Sequence, residues 1–128
     1  MNKLVIAFAV IALAAVCHGA ASGSRLTDCQ RRAEQERRVT ALPGHIVPEC
    51  DANGEYKAKQ CFGARRKGNP FCSCFSRDYV QIKSPSTKIT DCECVRERHE
   101  ILQQQRRGGN RAGNVPTCNE ETGEYVRG

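Results

Sequence analysis

The sequence predicts a small disulfide-rich α+β fold with an N-terminal helix, a β-hairpin and a short third strand. Three observations carry that expectation. An even set of cysteines follows an apolar leader, the composition is too polar to fold by burial alone, and a helix-start signal precedes a tight-turn signal.

The leader comes first. Lys3 supplies a positive start, Leu4 to Val16 form an unbroken apolar run, and small residues follow at Gly19, Ala20 and Ala21. That order reads as a secretory signal peptide over residues 1–21, short for a bilayer span. Cleavage after Ala21 suits the small-residue rule, and cleavage after Gly19 fits nearly as well. No second apolar stretch follows, so the mature chain is expected to be soluble, secreted and extracellular.

The full chain has nine cysteines, and Cys17 lies in the leader. Cys29, Cys50, Cys61, Cys72, Cys74, Cys92, Cys94 and Cys118 remain, an even set in an oxidising route and therefore a disulfide framework. Spacing alone does not choose among their pairings. The mature chain also needs the bridges. It lacks Trp, and its aromatics are Phe62, Phe71, Phe75, Tyr56, Tyr79 and Tyr125. Ordering the backbone costs about 1–2 kcal/mol per residue, whereas each crosslink contributes about 2–4 kcal/mol.

The net charge is +6 and rests largely on arginine. Arg31-Arg32, Arg37-Arg38, Arg65-Arg66-Lys67 and Arg106-Arg107 are basic clusters that could meet acidic glycans or a negative protein surface. Interspersed acids such as Glu34, Glu36, Glu97 and Glu100 make a solvated surface the plainer reading. No nucleic-acid or membrane partner is expected.

Each element has a local cause. Thr27 can cap a helix while Gln30 reaches back to close the box, and helix formers continue to about Arg38 before Pro43-Gly44. Ile46–Cys50 and Glu55–Cys61 look extended around Asp51-Ala52-Asn53-Gly54, which predicts an antiparallel hairpin with a cysteine on each arm. Pro48 suits an edge strand. Gly63 to Pro70 reads as a basic loop. The third strand, Phe71 to Phe75, alternates Cys72 and Cys74 on one face with Phe71, Ser73 and Phe75 on the other. Ser84 to Thr90 reads as loop. A second helix runs from Cys94 to about Gln105, with a flexible-looking tail after Gly108-Gly109-Asn110.

The chain repeats itself. Val47-Pro48-Glu49-Cys50-Asp51 through Gly54-Glu55-Tyr56 parallels Val115-Pro116-Thr117-Cys118-Asn119 through Gly123-Glu124-Tyr125, with one inserted residue. In both copies a charged helical stretch starting at a cysteine comes first.

The first copy resembles the thyroglobulin type-1 domain. The resemblance lies in Cys29, Pro43-Gly44, Val47-Pro48-Glu49-Cys50-Asp51, Gly54-Glu55-Tyr56, Gln60-Cys61, Cys72-Ser73-Cys74-Phe75 and Cys92. The paired Cys-x-Cys elements also resemble those of arachnid members found in venom or saliva. It implies a thyroglobulin type-1-like fold over residues 26–92, then a partial second repeat with a flexible tail over 93–128. It implies consecutive pairing as Cys29–Cys50, Cys61–Cys72 and Cys74–Cys92, and the repeat extends this to Cys94–Cys118. The family usually has Trp and Val in a Cys-Trp-Cys-Val element, where this chain has Ser73 and Phe75. The local core is therefore expected to be looser or filled by Phe71, Phe75 and Tyr56.

No constellation points to catalysis, metal or a cofactor. Cys72-x-Cys74 and Cys92-x-Cys94 are spaced more tightly than paired zinc ligands prefer. His45 and His99 have no free thiol partner under the implied pairing. Glu120 and Glu121 lie in a polar stretch with nothing to tune them as acid or base.

Binding through loops remains. The resemblance implies reversible inhibition of a papain-like cysteine protease by a disulfide-braced wedge that occludes the cleft. By position the wedge loops are Ala41-Leu42-Pro43-Gly44-His45, then Phe62 to Phe71 with Arg65, Arg66 and Lys67, then Ser76 to Val80 with Arg77 and Asp78. Rigid loops lose little entropy on docking. Leu42 and Pro43 offer an apolar contact, and Gly44 permits close backbone approach. The alternative is a non-inhibitory extracellular module that binds acidic glycans or a protein ligand.

Overall fold

Thr27 opens the first helix as its local sequence dictates. The structure, a computed structural model, describes residues 25–39, 46–63, 68, 70–109 and 113–127. The leader 1–21, Ala41–His45 and Arg65, Arg66 and Lys67 lie outside them. In α1 (Asp28–Arg38) the Thr27 hydroxyl accepts from the Gln30 amide, and the Gln30 side chain accepts from the Thr27 amide. That reciprocal pair satisfies two donors which an uncapped helix leaves open.

The sheet holds three antiparallel strands, β1 (Lys59–Phe62), β2 (Phe71–Phe75) and β3 (Gln81–Ser86), in the order β1-β2-β3. A second helix, α2 (Glu93–Arg106), follows. Four bridges join Cys29 to Cys50, Cys61 to Cys72, Cys74 to Cys92 and Cys94 to Cys118. Cysteines also make most of the core. Cys72, Cys74, Cys92, Cys94 and Cys118 are buried in one cluster with Ala58, Ile89 and Val95.

Three sequence expectations change in detail. The hairpin around Asp51–Gly54 contracts to a single bridge, Cys50 opposite Tyr56. Pro48 has no N–H to extend that ladder, and the Gln60 side chain takes over the next contacts. Its Nε2 donates to the Glu49 and Lys57 carbonyls and its Oε1 accepts from the Glu49 amide. Second, Phe71–Phe75 is the central strand, and the expected loop at Ser84 overlaps β3. Pro85 hides that strand in the sequence, because proline is tolerated at a sheet edge. Third, Phe71 does not fill the space of the absent Trp, being 54% exposed. Ser73 is fully buried and its hydroxyl donates to the Lys83 carbonyl, which ties β2 to β3 instead.

Gln60 is 1% exposed and spends its amide on three backbone groups. Replacing it with Ala strands those groups, and is expected to cost about 2–3 kcal/mol. Thermal unfolding of the oxidised protein checks this, and a loss below about 0.5 kcal/mol contradicts it.

The second copy of the repeat folds like the first. The backbone of Cys118 pairs with that of Tyr125 in an isolated antiparallel β-bridge, as Cys50 does with Tyr56. Asp51 Oδ1 accepts from the Asn53 and Glu55 amides, and Asn119 Oδ1 accepts from those of Glu121 and Thr122. Each arch turns through a glycine with positive φ, 80° at Gly54 and 79° at Gly123. Each glycine also lies against the start of a helix, Gly54 against Thr27 and Gly123 against Asp91. Segment 113–127 is thus held on the body by the Cys94–Cys118 bridge, by Thr90 and Asp91 amides donating to the Thr122 carbonyl, and by the Arg98–Glu120 and Lys88–Glu121 ion pairs.

Candidate functional site

The connections of the sheet leave it at two opposite ends. β1 and β2 pair from Lys59–Cys74 to Phe62–Phe71, so their connection departs from the Phe71 end of β2. The turn Ser76–Val80 departs from the Phe75 end. A five-residue strand puts these about 15 Å apart at ~3.3 Å per residue.

The Phe75 end is closed on itself. Ser76 N donates to the Val80 carbonyl, Tyr79 N to that of Ser76, and Val80 N to Ser76 Oγ. Tyr79 adopts a φ of 60°, a region usually left to Gly or Asn. Its ring is held between neighbours, with centroids 4.5 Å from Tyr56 and 4.7 Å from Phe75, and with the Arg32 guanidinium 4.8 Å from its centroid. These contacts offset the strain of the turn. Burial raises the Tyr79 phenol above its ordinary pKa.

Arg77 and Asp78 lie on this turn. Arg77 is engaged within the protein, Nη1 at 2.6 Å from Glu55 and Nε at 2.8 Å from Glu100. Both residues line a groove of about 340 Å³ with Thr27, Gly54 and Tyr56. Beneath the turn is a residue that the sequence analysis did not single out. Arg96, 4% exposed, donates from Nε to the Phe75 carbonyl at 2.9 Å and from Nη2 to those of Tyr56 at 2.8 Å and Ser76 at 3.4 Å. Burial lowers its pKa from the ordinary arginine value. Nothing in Val95-Arg96-Glu97-Arg98 distinguishes it from the more exposed Arg98; only its register on α2, two residues after Cys94, gives a clue.

The other end is framed differently. Lys57 N donates to the Glu49 carbonyl, so the chain before Cys50 runs antiparallel to the stretch entering β1. α1 runs beside it, since Ala33 and Arg37 line one groove with Val47 and Pro48. Val39, Ile46 and Phe71 are 49%, 37% and 54% exposed. The Cys61–Cys72 bridge joins direct cross-strand partners immediately behind Phe62 and Phe71. The residues flanking Arg65–Lys67 thus leave the sheet at the Phe71 end of β2, and the turn that carries Arg77 and Asp78 leaves it at the Phe75 end.

At the edge of the second arch, Tyr125 donates its hydroxyl to Glu97. That bond, with lesser help from desolvation and nearby carboxylates, pushes the phenol up to about 12. Glu120 is held below the usual carboxylate range by its hydrogen bond from Arg98.

A bridge-centred core with braced connections at two ends defines a class, the small disulfide-stabilised domain. Residues 24–94 match the family model of the thyroglobulin type-1 repeat. The chain belongs to the thyroglobulin type-1 family, whose domains include protease-inhibitor modules. It is 38% identical over 119 residues to U20-hexatoxin-Hi1a of Hadronyche infensa, a match covering 92% of this chain and 74% of the toxin. It is 34% identical over 82 residues to human epithelial cell adhesion molecule, covering 64% of this chain and 24% of that protein. Against human Nidogen-1 it is 39% identical over 46 residues, 36% of this chain and 3% of the relative. Among the described residues no helix is long and apolar enough to cross a membrane.

Proposed function

We propose that the mature, secreted protein reversibly inhibits papain-like cysteine proteases by occluding the active-site cleft. The observation that carries this reading is the pair of disulfides, Cys29–Cys50 and Cys61–Cys72, that brace the residues on either side of 40–45 and of 64–67. A preorganised edge loses little entropy on docking and resists cleavage by its target. The family's inhibitory modules support the reading. Arg77 and Asp78 fall outside this version of the interface, because they lie at the other end of β2.

Titrating the oxidised mature protein against a panel of cathepsin-like enzymes tests it. The wild type is expected to inhibit at about 1 μM or below, the strength of an ordinary specific complex. A Leu42→Asp, Gly44→Arg double variant should lose potency, while an Arg77→Ala, Asp78→Ala double variant keeps it. No inhibition by the wild type sinks the proposal. Loss in the second variant but not the first moves the interface to the opposite end. Absence of inhibition together with salt-sensitive retention on heparin instead favours a glycan-binding module.

A further inference from the structure

One basic cluster is presented differently from the others. Arg31 is paired with Asp28, and Arg32 lies over the Tyr79 ring. Arg38 is paired with Glu34, and Arg37 lines a groove with Val47 and Pro48. Arg65-Arg66-Lys67 lies outside the described residues. Arg106 and Arg107 are exposed, and neither guanidinium bonds to a described residue.

The backbone that carries them is also weakly anchored. α2 buries side chains only near its start, at Cys94, Val95 and Arg96. Gln104 to Gly109 are all exposed, and the chain leaves the helix through Gly108 with a φ of 77°. Unwinding this end breaks only bonds within it, such as those from the Arg107, Gly108 and Gly109 amides to the Gln103, Gln105 and Gln104 carbonyls. No buried side chain is uncovered. α1 differs, because Ala33, one turn before Arg37, is buried. Opening without loss of buried surface is what admits a stretch of chain to a protease cleft.

We propose that the Arg107–Gly108 bond is a processing site, cut by an endoprotease whose two adjoining acidic pockets each take one arginine. The free guanidinium groups supply the paired charges, and Gly108 and Gly109 bring no side chain to obstruct the far side of the cleft. Water adds across the bond, leaving a carboxylate on Arg107 and an amine on Gly108. The two pieces stay together. The Cys94–Cys118 bridge spans the cut, and the Thr90 and Asp91 amides with the Arg98–Glu120 and Lys88–Glu121 ion pairs hold the second arch in place. The product is a two-chain protein of the same fold, its second arch tied on by one bridge. This processing is independent of the protease-inhibitor reading.

Incubating the oxidised mature protein with a purified dibasic-specific endoprotease, and following its mass with and without reduction, tests the proposal. The first cut is expected at Arg107–Gly108, at least about 10-fold faster than at any other basic cluster. The unreduced protein should gain one water and lose nothing. Reduction should then yield one fragment ending at Arg107 and another beginning at Gly108. An Arg106→Gln, Arg107→Gln double variant should be cut there at least about 10-fold more slowly at an unchanged melting temperature. The control, Arg37→Gln with Arg38→Gln, should be cut there as fast as the wild type. A first cut at another cluster overturns the proposal, as does resistance of the wild type or undiminished cutting of the Arg106, Arg107 variant. Loss of a fragment without reduction overturns the two-chain product. Should the variant melt lower, the position of the first cut in the wild type still decides.

Discussion

Replacing Arg96 with methionine is expected to lower the stability of the oxidised protein by about 3–5 kcal/mol. The guanidinium satisfies the carbonyls of Tyr56, Phe75 and Ser76 from a position with 4% exposure. Methionine fills similar volume but donates nothing. The Tyr56 and Phe75 acceptors are left unpaired near the core, and each such group costs about 1–3 kcal/mol. A domain of this size is stable by roughly 5–15 kcal/mol in total, so the melting temperature should fall by tens of degrees. Thermal and urea unfolding with all bridges intact measure the loss. A change under about 1 kcal/mol would show that the three carbonyls find other donors.

The same variant separates two views of the chain. Arg96 lies beyond the residues matched to the family repeat, 24–94, yet it bolts down the Tyr56 arch and the Ser76–Val80 turn inside them. The helix that opens the second copy is therefore part of the first copy's frame. Arg96→Met should loosen the Ser76–Val80 turn first, with faster amide exchange at Tyr79 and Val80 than around Gln60.

The second large effect falls on the other copy. Gly123→Ala places a Cβ at φ +79°, only 2.0 Å from the Asp91 carbonyl oxygen, where backbone cannot yield as a side-chain tip can. The αL position alone costs about 1 kcal/mol, and the overlap forces the arch away from α2. The amides of Thr90 and Asp91, which donate to the Thr122 carbonyl, should then exchange about 100-fold faster, equivalent to about 2.7 kcal/mol at ~1.36 kcal/mol per tenfold. The Cys94–Cys118 bridge keeps the arch tethered, so the first copy should retain its melting behaviour. Unchanged protection at Thr90 and Asp91 would refute the docking. At Gly54 a Cβ meets the Thr27 side chain at 2.5 Å, so Gly54→Ala should instead disturb the cap of α1.

Much of this molecule is written in short-range sequence. Thr27 and Gln30 are three residues apart and close the capping box by themselves. The turn at Asp51–Gly54 and its second copy at Asn119–Gly123 follow from side chains that bond their own backbone two to four residues on. β3 carries no such local signal, because Gln81-Ile82-Lys83-Ser84-Pro85-Ser86 contains a proline and little apolar alternation. It is a strand because β2 lies beside it, with Ser73 bonded to the Lys83 carbonyl.

The candidate site divides in the same way. The sequence by itself determined the helix cap, the turns, the even cysteine set and the doubled arch, since each depends on neighbours a few residues away or on a count. The tertiary structure alone decided that Arg96 is a buried bolt, that Tyr79 adopts a left-handed turn, that Phe71 faces solvent, and that the turn carrying Arg77 and Asp78 leaves β2 at the end opposite Phe71. Arg96 shows why most plainly, since the carbonyls it holds lie 20 to 40 residues away. Local sequence chooses a residue's backbone preferences, but it is the packing of distant segments that chooses which side chains water can reach.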